Sequence, residues 1–216
     1  VRQAGTAYAL AEYLKAYPSD SRVEESLEQA LSRFRENSID YGEGKILTLD
    51  ERETLAKSGA TALALLAELM YSDITGDEQF SEIRTAWKDG LLAFYLGEEF
   101  DFTIVDFLSG FARLPGSKID DDFSNGEIWL ALAHYNERYP DDERVAEVLS
   151  ATDVSFMEKY DGENLNVGFY HWGTMAALKR FEVTGDDKFG RFAYQSTQRY
   201  ISGINPNIRS NVNSCY

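Results

Sequence analysis

A chain of 216 residues with 37 Asp+Glu against 21 Lys+Arg has a formal net charge of −16, and 44% of it is hydrophobic. Such acidity repels a phosphate backbone and supplies no counterion release, which excludes nucleic acid as a partner, while the apolar content excludes disorder. The apolar run near Leu63 to Leu66 is far short of the roughly 20 residues of a membrane span. The single Cys215 allows no internal disulfide and no multi-cysteine zinc site.

In chain order the sequence alternates two textures of helix, joined by short acidic turns. Ala7 to Leu14 is apolar on most faces, and the turn Tyr17-Pro18-Ser19-Asp20-Ser21-Arg22 leads into a stripe of Val23, Leu27, Ala30 and Phe34. Ala60 to Tyr71, the turn Thr75-Gly76-Asp77-Glu78 and the stripe Phe80, Ile83, Trp87 and Phe94 repeat the pattern. It returns as Ile128 to Tyr135, Tyr139-Pro140-Asp141-Asp142-Glu143-Arg144 and Val145, Leu149, Thr152 and Phe156. The last copy is Thr174 to Phe181, Thr184-Gly185-Asp186-Asp187-Lys188 and Phe189, Phe192, Ser196 and Tyr200. Spacings of three and four put each stripe on one helix face. Gly or Pro ends the first helix of each hairpin, and Asp or Ser caps the second. The first helices, rich in Ala, Leu and aromatics on most faces, read as inner helices, and their striped partners as outer helices facing water.

The reverse connections are roughly 13 to 30 residues long, against about two to eight for ordinary helix connections. They run over Ile39 to Ser58, with a short strand expected in Lys45 to Leu49, over Glu98 to Asn125, and over Asp161 to Trp172. All of them should emerge on one side, which gathers the unusual residues there. The expected architecture is an all-α single domain over residues 1–216.

The strings Ala60-Thr61-Ala62-Leu63-Ala64-Leu65-Leu66-Ala67 with Thr75-Gly76-Asp77-Glu78, and Trp172-Gly173-Thr174-Met175-Ala176-Ala177-Leu178 with Thr184-Gly185-Asp186-Asp187, resemble the repeats of the α/α toroid superfamily, (α/α)6-barrel-like, of carbohydrate-active proteins. The likeness is one of fold and covers nearly the whole chain. It implies a saccharide ligand bound on the long-loop face, and hydrolase, lyase or epimerase chemistry; no cofactor and no metal are expected from the residues. The zinc-dependent toroids need Cys and His ligands, whereas Cys215, His134 and His171 are the only such residues. Acid-initiated terpene cyclases carry D-x-D-D, which Ile119-Asp120-Asp121-Asp122 does not match. Toroids of this type usually close with more hairpins than the four found here. The expectation is therefore an incomplete arc whose apolar edges are covered by a homo-oligomer or a further segment. The opening Val1-Arg2-Gln3 reads as a processed or truncated start, which leaves the compartment open.

In such an architecture the candidates stand just before each inner helix: Arg2 and Gln3; Tyr41, Glu43 and Lys57; Asp121, Asp122, Asn125 and Glu127; and Tyr170, His171 and Trp172. Sugar rings stack on aromatics, and their hydroxyls pair with carboxylates and amides. Glu127 is either a proton-transfer carboxylate in a cavity or a first-turn Glu held by the helix dipole, with Ser124 or Asn125 as cap. Tyr170, His171 and Trp172, expected in the turn before the last inner helix, form either a proton-transfer and stacking site or an aromatic plug. Catalysis is assigned to Glu127, His171 and Tyr170, and substrate binding to Trp172, Asn125, Arg2, Gln3, Lys57, Tyr41 and Asp121, with Arg2 and Lys57 suited to a uronate carboxylate. His134 reads as a core histidine. Asp120 to Asp122 read as a solvated loop that matches no EF-hand spacing, and Gly42, Gly44 and Gly59 form no phosphate loop. The second reading is a non-enzymatic helical-repeat module that binds a protein partner. Tetratricopeptide spacing, about 34 residues with short loops on both sides, is not met.

Overall fold

The computed structural model describes residues 2–48, 55–95, 105–106, 121–165 and 167–202, with the side chains of Arg2, Leu55, Val105, Asp106, Asp121, Asp122 and Glu163 outside that description. Helix dominates it. The helices are α1 (Arg2–Ala16), α2 (Ser21–Glu36), α3 (Ser58–Thr75), α4 (Ser81–Leu92), α5 (Asp121–Arg138), α6 (Glu143–Lys159), α7 (Val167–Thr184) and α8 (Asp187–Ser202). Two antiparallel ribbons accompany them: β1 (Ser38–Tyr41) with β2 (Gly44–Leu47), and β3 (Leu55–Ala56) with β4 (Val105–Asp106). No helix among the described residues is long and apolar enough to cross a membrane.

Internal contacts divide the chain into two compact units, the first holding α1 to α4 with both ribbons and the second α5 to α8. The units are built alike, because each places a Tyr-Pro turn first and a Thr-Gly-Asp turn second. At the Tyr-Pro turns, the Tyr17 amide donates to the Tyr13 carbonyl at 2.9 Å and the Tyr139 amide to the Tyr135 carbonyl at 2.8 Å. The ring pairs Tyr13–Tyr17 and Tyr135–Tyr139 both sit 4.7 Å apart. At the second turns Gly76 and Gly185 adopt φ of 73° and 68°, a left-handed conformation that costs a β-carbon about 1–2 kcal/mol. Thr75 and Thr184 each donate to the carbonyl four residues back, at 2.8 and 2.7 Å, and accept the amide of the turn aspartate. Asp77 and Asp186 in turn accept the amides of Gln79 and Lys188. That contact holds the exposed Asp186 carboxyl below its ordinary value. The four hairpins of the sequence are thus two copies of a two-hairpin block.

The stripes expected on the outer helices point inward: Leu27 and Phe34, Phe80 and Trp87, Leu149 and Phe156, and Phe189 and Phe192 are all buried. The expected inner helices differ from one another. Every residue from Ser58 to Ser72 of α3 is buried, as its all-round apolarity predicts. By contrast α1 buries only Ala4, Ala7, Tyr8, Ala11 and Leu14 along one stripe and exposes Tyr13. In α7, likewise, Gly173, Ala176, Ala177 and Arg180 are buried while Leu178 and Phe181 are exposed. Alanine-rich composition predicts a helix; it does not require a partner on every side.

Two corrections concern helix starts. α5 begins at Asp121 and α7 at Val167, so Ser124 and Asn125 lie inside a helix and are not caps, and Tyr170, His171 and Trp172 are helical, not part of a turn. Asp121 and Asp122 likewise open a helix and do not belong to a loop. Ser and Asn favour helix boundaries, but helix propagation through them needs only that packing outweigh propensities worth a few tenths of a kcal/mol. The strand expected near Lys45 is β2, whose Leu47 amide donates to Thr61 Oγ1 of α3 at 3.0 Å. β2 lies against α4 where Gly44 meets Gly90, and a β-carbon on either would collide with backbone of the other element.

Candidate functional site

The predicted residues fall into both units. In the first, Gly5 of α1 faces Leu63 of α3, so the N-terminal turns of these helices lie side by side, with exposed Gln3 in one and half-buried Lys57 just before the other. Tyr41 is stacked on Phe94 at 4.6 Å, which fixes the end of the β1–β2 ribbon to the end of α4. Arg2 opens α1 and Asp121 opens α5; their side chains lie outside the described residues.

In the second unit the N-terminal turns of α5 and α7 meet in the same manner. A β-carbon on Gly126 would stand 2.8 Å from Trp172 Cβ and 2.9 Å from the Gly173 amide nitrogen, so only glycine allows the helices this approach. Asn125 and Glu127 therefore flank the contact that Trp172 makes from α7. Glu127 is buried, and buried Asn125 donates its Nδ2 to Tyr160 Oη at 3.2 Å. Tyr160 stacks in turn on Phe169 at 3.6 Å, and Phe169 on Trp129 at 6.0 Å. Beneath the site lies a continuous aromatic core.

Tyr170, His171 and Trp172 point to different sides, as consecutive helical residues must. Tyr170 stacks on Tyr200 of α8 at 4.1 Å and 7°. His171 is exposed and meets the half-buried Trp172 edge-on at 4.9 Å. Protein atoms around the imidazole remove part of its hydration and lower its pKa below the ordinary 6.5, so the ring is neutral at pH 7. Thr174, one turn on, is buried, and its Oγ1 has no hydrogen-bond partner, alone in this among the described residues. His134 lies within α5, half-buried.

Two buried ion pairs were not anticipated. Glu68 of α3, wholly buried, accepts from Arg84 Nε at 2.6 Å and Nη2 at 2.8 Å, and the same Nη2 reaches Glu78 at 2.5 Å. In the second unit Asp153 accepts from Arg180 Nη2 at 2.7 Å and from Trp129 Nε1 at 2.8 Å. Burial raises the Asp153 pKa, opposed by Arg180 and Trp129. The available signal was Glu68, the lone charge in Ala60 to Tyr71, because a charge inside an all-round apolar helix requires a buried partner. Both pairs read as structural. Among the described residues no group of three or more His, Cys, Asp and Glu is placed to hold a metal ion. No protein-family model, curated protein or solved structure matches the chain.

Proposed function

We propose that the chain is a carbohydrate-active protein of α/α-toroid type that takes a saccharide at the N-terminal turns of α5 and α7. The observation carrying this reading is half-exposed Trp172 beside exposed His171, directly against the Gly126 turn that holds Asn125 and Glu127. An indole offers an apolar face to a sugar ring, and a neutral imidazole accepts or donates a hydroxyl proton. In a processing reaction one of His171 and Glu127 takes a proton from an attacking water or a substrate carbon, and the other gives one to the leaving oxygen or to the opposite face of that carbon. Glu127 is buried, which suits a carboxylate whose proton affinity is raised by lost hydration.

The test uses the protein's three tryptophans, of which Trp87 and Trp129 are fully buried, so a change in emission on adding ligand reports Trp172. A panel of neutral, amino and uronate oligosaccharides is titrated against wild type and Trp172→Ala. A saturable change in wild type that the variant loses supports the reading, and no change with any sugar refutes it. The second reading, a helical-repeat module that docks a protein, is favoured by exposed Leu178 and Phe181 on α7.

A further inference from the structure

The two units share one build, yet matching helix positions differ in cover. Counted from the turn threonines, Leu178 and Phe181 of α7 correspond to Leu69 and Ser72 of α3. The first pair is 47% and 38% exposed, and both members of the second are 2% exposed. Counted from the Tyr-Pro turns, Tyr13 of α1 corresponds to Tyr135 of α5, and these are 44% and 5% exposed. One face of α7 and one face of α1 are thus open where their counterparts are covered.

We propose that these two faces cover each other between copies of the chain, α7 of one copy lying alongside α1 of the next. The flanking charges favour this occupant. Glu12 and Lys15 border Tyr13, and Lys179 and Glu182 border Leu178 and Phe181, with equal spacing and opposite order of sign. Aligned in the same direction, the helices set Glu12 against Lys179 and Lys15 against Glu182. N-terminal turns already lie side by side in α1 with α3 and in α5 with α7. Lys179 bridges Glu137 and Glu182 within its own chain, so the added carboxylate extends an existing network.

Each copy offers both faces, so the contact either pairs two copies reciprocally or passes from copy to copy as a ring or a row. It is also small. Interfaces below about 1,200 Å² are weak and transient, and a net charge of −16 on each copy opposes approach until salt screens it. Association therefore appears at high protein concentration in moderate salt, and it does not depend on the saccharide reading.

Sedimentation velocity to about 200 μM protein in about 0.3 M NaCl, where the Debye length falls below roughly 8 Å, reads the mass. Wild type is expected to show a mass that rises with concentration, while Leu178→Glu and Tyr13→Glu each stay monomeric. An equimolar mixture of the two variants retains one intact α7 face and one intact α1 face, so it should form dimers and nothing larger. A monomeric wild type, a single variant that still associates, or a mixture that stays monomeric each overturns the proposal. Phe181→Glu repeats the α7 arm, and far-UV circular dichroism confirms that every variant is folded.

Discussion

Arg84→Met tests how the first unit is held together. Arg84 is 2% exposed and Glu68 0%, and the guanidinium bridges Glu68 and Glu78 at 2.5 to 2.8 Å. Methionine keeps the apolar stem of arginine but removes the guanidinium from the buried Glu68 carboxylate. Two unit charges about 4 Å apart at an effective dielectric of about 20 attract by about 4 kcal/mol, and breaking one side of a buried pair costs about 3–5 kcal/mol. The expected loss in urea unfolding is therefore about 3–5 kcal/mol, followed by emission of Trp87, buried one turn along the same helix. Adding Glu68→Leu removes the orphaned charge and should restore stability to within about 1–2 kcal/mol of wild type, since apolar replacement of a buried pair is often neutral. A loss under about 1 kcal/mol for Arg84→Met, or no recovery in the double variant, would refute the reasoning.

Four further outcomes follow from the geometry. Gly90→Ala drives a β-carbon into the backbone of β2 and should cost about 1–3 kcal/mol in urea unfolding, whereas an unchanged midpoint would mean that α4 and β2 separate freely. Thr174→Val removes a buried hydroxyl that has no partner, so unfolding should show no loss and up to about 1 kcal/mol of gain; a clear loss would show that the hydroxyl is bonded. For His171, whose folded pKa lies below 6.5, the unfolded chain binds the proton first. Stability from this group is therefore lost as pH falls below 6.5, and thermal melts of His171→Gln should decline less than wild type between about pH 7.5 and 5. Acrylamide should quench Trp172 and spare Trp87 and Trp129, giving a quenchable fraction that disappears in Trp172→Phe; full quenching of that variant would contradict the burial of the other two.

The hairpins were legible because their determinants are local. Gly76 and Gly185 take a left-handed conformation that the sequence announces, the turn aspartates bond the amides two residues on, and stripes such as Phe80, Ile83 and Trp87 keep one periodicity. The starts of α5 and α7 were misplaced because the same local signals, Ser124, Asn125 and the aromatic run at Tyr170, also occur inside helices that packing extends. Of the candidate site, the sequence nominated Asn125, Glu127 and Trp172 separately. Gly126 is what draws them together, and its role is invisible until the opposing helix is in place.

By itself, then, the sequence determined the helical class, the four short turns, and which face of α2, α4, α6 and α8 turns inward, since each depends on residues within a few positions of one another. Tertiary structure decided which alanine-rich helices are enclosed and which are open, as the contrast of α3 with α1 and α7 shows. It also decided which charges pair, joining Arg84 to Glu68 and Arg180 to Asp153. Apolar area and buried charge record only how much must be covered or neutralised; the partner that does it is chosen by packing between segments far apart in the chain.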